Sequence, residues 1–234
     1  MNEFKKLDGR AMAAVIALAT CAVILIIDLV VTAQVSELFD QLKSKDMDPT
    51  KAEALQERAQ GLEERANSIA NTYRLTVLIT AVFFVRWMMR AYSNIPAIYS
   101  DYPTRFTGKQ VGWAFFIPFI NLVRPYYAMS DIWAASGPDD GSAKPRGAAI
   151  IGLWWALFLI GGVLGNVAMR MAASTDIDTI KLALTVNMGA DVIFAGAAVT
   201  AILAVRKITA NQAKKSQQPR VEPEPAIADQ GNAP

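Results

Sequence analysis

Four long apolar runs decide what this chain can become. They cover residues 11–35, 72–92, 147–172 and 181–205, and each reaches the roughly 20 residues that a helix needs to cross a bilayer. Inside lipid every backbone polar group has to be satisfied within its own element, so runs of this kind become helices. The chain is expected to be an all-α membrane protein with four transmembrane helices. The basic flank MNEFKKLDGR and the triplet Val31-Thr32-Ala33 resemble a secretory signal and its cleavage site. The apolar run is longer than the about 7–15 residues of a signal-peptide core, so it is read as an uncleaved first span.

Composition removes whole classes of chemistry. The 234 residues include no histidine and one cysteine, Cys21. Histidine-dependent hydrolases, HExxH zinc enzymes, histidine-ligated haem, cysteine metal clusters and intrachain disulfides are therefore excluded. Cys21 reads as a small packing residue. A formal net charge of +2 gives no reason to expect nucleic-acid binding. No cofactor is expected.

Lysine and arginine set the orientation. With a cytosolic N-terminus, four spans gather Lys5, Lys6, Arg10, Arg86, Arg90, Arg105, Lys109, Arg124, Lys144, Arg146, Arg206, Lys207, Lys214, Lys215 and Arg220 on the cytosolic side. Only Arg170 and Lys181 flank the short outer loop between the third and fourth spans. The resulting map is a cytosolic N-terminus (1–10), TM1 (11–35), an extracytoplasmic helical hairpin (36–71), TM2 (72–92), a cytosolic-side connection (93–146), TM3 (147–172), TM4 (181–206) and a disordered cytosolic tail (207–234). The tail is rich in Pro and Gln and cannot bury a core.

A fifth apolar stretch, FFIPFINLVRPYYAMSDIW (115–133), makes a poor span. Crossing would put Arg124 inside the bilayer, which costs about 2.5–3.5 kcal/mol on insertion. Pro118 and Pro125 would each remove a backbone donor. A broken element is cheaper: a short helix over 109–117, a bend over 118–124 and a second helix over 125–134. Pro125 suits a first turn, and Asn121 is placed to cap a freed backbone end. Tyr126, Met129 and Trp133 share one face of the second helix, with Ser130 and Asp131 elsewhere. Residues 109–134 are thus expected to form a re-entrant or interfacial hairpin on the cytosolic side; a proline-kinked crossing is the alternative.

Trp87-x-x-Arg90-x-x-x-Asn94, then Phe116-x-Pro118-x-x-Asn121-x-x-Arg124-Pro125-Tyr126 and the later Trp133, resemble a bacterial integral-membrane family known as domain of unknown function 4328. The resemblance covers roughly residues 72–205. It implies a multi-helix protein of the bacterial cytoplasmic membrane, and it carries no activity or catalytic residue with it. Residues 36–71 and the tail read as additions peculiar to this chain.

The hairpin has its own pattern. Ala52, Leu55, Ala59, Leu62, Ala66, Ile69 and Tyr73 recur at spacings of three and four, a coiled-coil seam. Val35, Leu38 and Leu42 at the end of the first span are its nearest partners, and self-association with another copy is the other option. The legs are unequal, so the longer one has to tilt, bend near Gly61 or find another partner.

Polar residues inside the spans are functional hypotheses by default. Helical rise places Asp28 about 10 Å, Asp191 about 15 Å, and Asn166 and Asn187 about 9 Å below the outer boundary. One reading makes these four a proton or cation site, because two carboxylates in a low dielectric cannot easily both ionise. The other is structural, with Arg170 neutralising one aspartate and Arg86 capping carbonyls freed at the broken segment. Gly161-x-x-x-Gly165 and the small residues Gly189, Ala190, Gly196 and Ala197 predict close helix packing, within the chain or between copies. Trp87, Tyr92, Trp113, Tyr126 and Trp133 beside Arg90, Arg105, Lys109 and Arg124 form a cytosolic rim, suited to anchoring in the bilayer and to holding an anionic lipid. No catalytic constellation is visible. A non-enzymatic scaffold, subunit or envelope-sensing component leads, with other membrane proteins or further copies as partners. A small oligomeric transporter or channel using Asp28 and Asp191 is the alternative, and an intramembrane aspartyl enzyme comes last.

Overall fold

The computed structural model describes residues 3–42, 49–100, 102–137 and 148–217. All of its regular elements there are helical: α1 (Asp8–Leu42), α2 (Pro49–Ser93), α3 (Ile95–Ile98), α4 (Gly108–Trp113), a 3₁₀ turn (Ile120–Leu122), α5 (Arg124–Ser136), α6 (Ala148–Met171) and α7 (Ile177–Lys215). Helices α1, α2, α6 and α7 are long and apolar enough to cross a membrane. Large apolar side chains such as Ile16, Leu78, Val163 and Val199 stand exposed along them. Lipid tails are as apolar as these side chains, and the chain is a multi-pass membrane protein.

The first two spans and the hairpin beyond them are not separate elements. α1 is one helix of 35 residues and α2 one of 45, about 52 and 67 Å long at 1.5 Å per residue. They pack antiparallel in one register. Lys5 meets Asn94, Cys21 meets Thr80, and Leu38 clusters with Leu55 and Leu62. Val35 and Ala59 pack on that last cluster, so these five positions of the predicted seam meet within the chain. The unequal legs are reconciled without a break at Gly61, because α2 runs through it unbroken. Leu42 and Ala52, also part of the seam, have side chains outside the described residues.

α7 packs between α1 and α6. A Cβ added at Gly161 would lie 3.1 Å from the Phe194 ring, and one at Gly196 would lie 3.4 Å from Leu157. Gly161 and Gly196 therefore serve α6–α7 packing within the chain, whereas a Cβ at Gly189 would meet nothing within 4 Å. Asp176 caps α7 by accepting from the Thr179 amide at 2.9 Å. At its far end α7 runs to Lys215, with Ile208, Thr209 and Gln212 buried. The expected tail thus begins at least nine residues too early: 207–215 are helical because an apolar and polar face there still has partners. Residues 218–234 lie outside the described residues.

The main core gathers at one end of the bundle. Trp87, Met88, Tyr92, Ile95, Val111, Met129, Ile132, Ile151, Val205 and Ile208 are buried together there. The broken segment docks on this end. Gly108 and Gly112, one turn apart, bring α4 against Met89 of α2, whose carbonyl would lie 2.9 Å from a Cβ at Gly108. Trp155 of α6 donates to the Leu122 carbonyl at 3.0 Å. Thr107 and Gln110 form a reciprocal capping box at the start of α4. The first helical piece ends at Trp113, not 117. Phe119 marks the reversal with φ 64°, a strained conformation for a bulky residue. Asn121 lies within the 3₁₀ turn, and Val123 takes the N-cap of α5 without a side-chain bond. Pro125 does sit in the first turn of α5.

Candidate functional site

The structure brings together three of the four polar residues expected in the outer half of the spans. The Asn187 amide donates to Asp28 at 3.3 Å and to Asp191 at 3.2 Å. Asn187 and Asp191 are one turn apart on α7 and so share a face, and Asp28 meets them from α1. Asp191 is buried. Asn166 stays apart: it is exposed and donates to Gly162 of its own helix. The arginine partners expected for a structural role do not arrive. Arg170 and Arg86 are exposed, and neither has an ion pair among the described residues. An amide, not a guanidinium, joins the two acids.

The opposite end carries a second, denser polar group. Trp87, Arg90 and Asn94 recur at spacings of three and four on one face of α2. The Trp87 indole donates to Thr209 of α7 at 3.1 Å. Asn94, fully buried, donates to the Lys5 carbonyl at 2.9 Å and to Gln212 at 3.2 Å, and accepts from the Lys5 amide at 3.3 Å. Gln212 in turn donates to the Ala91 carbonyl at 3.0 Å and to Ser136 at 3.1 Å. Two side-chain amides therefore tie the N-terminal segment, α2, α5 and α7 together, with their donors and acceptors used.

Asp131 was missed. On α5 it lies with Ala128, Ile132 and Ala135, all buried, and it is itself only 2% exposed. Arg105 donates from Nε at 3.1 Å to both carboxylate oxygens and from Nη2 as well. Tyr92 and Tyr102 donate at 3.1 and 3.4 Å. Tyr92 also accepts the Phe106 amide at 2.9 Å. Burial, and then the Asp131 charge, push the Tyr102 phenol up to about 12. The hydrogen bonds to Asp131 push the Arg105 guanidinium above its ordinary value. Helix α5 is therefore not an amphipathic helix with a free polar face: Met129 and Asp131 both point into protein. A signal was present, since Asp131 is the one acid between Asp101 and Asp139, in a stretch holding Arg105, Lys109 and Arg124.

Beside this network lies a cleft of about 560 Å³ bordered by Glu3, Lys5, Arg90, Tyr92, Thr104 and Phe106. The remaining predicted positions surround it or stand away from it. Arg124 sits over the Phe106 ring at 5.0 Å, Tyr126 packs on Tyr127, and Trp133 and Pro125 are partly or fully buried in the core. Phe116 and Pro118 are exposed at the tip of the broken segment.

A family described as "Domain of unknown function (DUF4328)" matches residues 48–210. The chain belongs to the DUF4328 family. No curated protein and no solved structure matches it. The DUF4328 match begins at residue 48, so most of the longer hairpin leg lies inside the family region rather than being an addition to it. Asp28 and Lys5, by contrast, lie outside the matched region, while Asn187, Asp191, Asp131, Arg90 and Asn94 lie within it. The DUF4328 region thus supplies all of the broken segment and most of its docking surface, with Gln212 and Lys215 just beyond it, and the residues before 48 complete both polar groups through Lys5 and Asp28.

Proposed function

We propose that this protein is a non-enzymatic component of the bacterial cytoplasmic membrane, a scaffold or envelope-sensing subunit that docks other membrane proteins through its hairpin. The observation that carries the reading is the continuity of α1 and α2 from span to hairpin, with the Leu38–Leu55–Leu62 cluster holding the projecting part. A movement or load at the hairpin is then transmitted along rigid helices to the opposite end. The N- and C-termini and the broken segment lie on the cytosolic side, in keeping with the distribution of Lys and Arg. Two features support a segment that dips into the interface and returns. Its contacts fall on the end of the bundle that holds Asn94 and Gln212. Its tip exposes Trp113, Phe116 and Phe119, which are 67, 72 and 83% accessible and favour lipid over water. The test is deletion of residues 40–68 followed by affinity purification from membranes. Partner proteins are expected to disappear from the eluate. Their undiminished recovery would remove the docking role.

The Asp28–Asn187–Asp191 contact favours a second reading, a proton or cation site in an oligomeric transporter or channel. Under it, Asp28→Asn and Asp191→Asn accumulate normally in the membrane yet abolish a cation-dependent or proton-dependent flux in reconstituted vesicles. Normal flux in both variants would end this reading.

A further inference from the structure

We infer that the cleft between the N-terminal segment, the end of α2 and the loop before α4 binds a phosphodiester anion, with Arg90 and Lys5 as its ligands. Three observations carry this. First, the Arg90 Nε is shielded from solvent and has no hydrogen-bond partner among the described residues. A shielded guanidinium donor left unmade costs more than an ordinary hydrogen bond gains, and the described residues supply no acceptor for it. The neighbouring cations are occupied differently: Arg105 is bound by Asp131, and Arg124 lies over Phe106. Second, the volume of about 560 Å³ falls within the range of small-molecule sites, roughly 300–1,000 Å³. Third, among the described residues the charged groups bordering the cleft are Glu3, Lys5 and Arg90, two cations against one anion. The surplus of one positive charge matches the single charge of a phosphodiester better than the multiple charges of a diphosphate.

The chemistry of the walls agrees. A planar guanidinium fork suits phosphate oxygens, and Lys5 adds a flexible ammonium. Thr104 offers a hydroxyl, while Tyr92, Pro96 and Phe106 give an apolar wall for the carbon atoms flanking the phosphate. Two of the lining residues are already held in place. The Lys5 backbone is locked to Asn94, and Tyr92 is held by Asp131 and Phe106. A site pre-organised in this way loses little freedom on binding. The phosphodiester has two possible sources, a phospholipid headgroup entering from the membrane or a soluble phosphodiester from the aqueous side.

The test uses the full-length protein in a phosphate-free detergent, with native mass spectrometry as readout. The probes are phosphatidylglycerol, its acyl-free headgroup glycerophosphoglycerol, and inorganic phosphate. One phosphatidylglycerol bound per chain identifies a lipid site. Equal binding of glycerophosphoglycerol identifies a soluble source, and the cleft assignment stands in both cases. Arg90→Gln and Lys5→Gln are expected to weaken binding roughly ten-fold or more, and Lys207→Gln, an exposed cation outside the lining, to leave it unchanged. Absence of stoichiometric binding by every probe overturns the proposal, as does an equal loss in Lys207→Gln. If Arg90→Gln does not give a monodisperse protein, Lys5→Gln decides alone. Only the Lys5 backbone serves the fold, so unaltered binding in that variant also overturns the assignment.

Discussion

The two ends of the bundle treat buried polarity in opposite ways. At the end with the broken segment, Asp131 meets Arg105, Tyr92 and Tyr102, and Asn94 meets Gln212 and the Lys5 backbone. Asp131 has its counter-charge in Arg105, and each of the two buried amides has its complement. At the other end, two carboxyls from α1 and α7 share one amide, with no cation among the described residues. A saturated network fixes one arrangement of the backbone. An under-satisfied acidic pair keeps coordinating capacity in reserve. The contrast separates what holds the fold from what is left over for chemistry, and mutation at each end should show it.

The largest effect is expected from Arg105→Gln. Asp131 is almost fully buried, whereas the Arg105 side chain is 47% exposed. Removing the arginine strands a carboxylate inside the protein, at about 3–5 kcal/mol. Asp131→Asn is milder, about 1.5–3 kcal/mol, because the released arginine reaches water. The double variant should be less destabilised than the sum of the two single ones. Thermal unfolding in detergent measures all three. Equal losses for the two single variants would break the claim that burial is one-sided.

Much of this architecture was legible in advance, and the failures share a cause. The four spans, a break ahead of Arg124 and the Leu38–Leu62 contact follow from hydropathy and spacing, which act locally. The grouping of Asp28, Asn187 and Asp191 followed from helical rise alone, since depth in a bilayer is one coordinate and can be counted. What could not be counted was rotation about the helix axis. Depth put Asn166 at the level of Asn187, but it faces away from the pair. The same blindness assigned Asp131 to a free polar face, because α5 in isolation does not reveal that Tyr92 and Arg105 stand opposite. The helical stretch 207–215 was lost for a related reason. Its composition is polar, and only its neighbours make Gln212 a core residue.

Asn94→Ala comes next in size, at about 2–4 kcal/mol. It leaves the Gln212 oxygen and the Lys5 backbone without partners in a dry site, at about 1–3 kcal/mol for each unsatisfied group, less whatever relaxation the N-terminal segment allows. Hydrogen exchange should show faster exchange in the first turns of α1 and the last turns of α7 together. Loss confined to one of them would mean that Asn94 does not couple the two. At the opposite end, Asp191→Asn should change stability by less than about 1 kcal/mol, because the substituted amide keeps the shape and relieves the confrontation of two acids. A collapse in expression with this variant would place the acidic pair among the structural groups and erase the contrast between the ends.

The smallest effect sharpens the comparison from outside both sites. Lys181, at the start of α7, pairs with Asp40 of α1, and their side chains are 25 and 61% exposed. Glu37 and Arg58 make a similar exposed pair across the hairpin at 3.5 Å. Surface pairs of this kind contribute about 0–1 kcal/mol and weaken with salt. Lys181→Gln should therefore shift unfolding by no more than that, and the shift should vanish in high salt. The Arg105→Gln loss, resting on a carboxylate shielded from solvent, should persist at the same salt concentration. Salt dependence thus distinguishes a charge pair that water shares from one that the fold has enclosed, and a salt-insensitive Lys181→Gln effect would mean that the outer end is more tightly closed than its exposure implies.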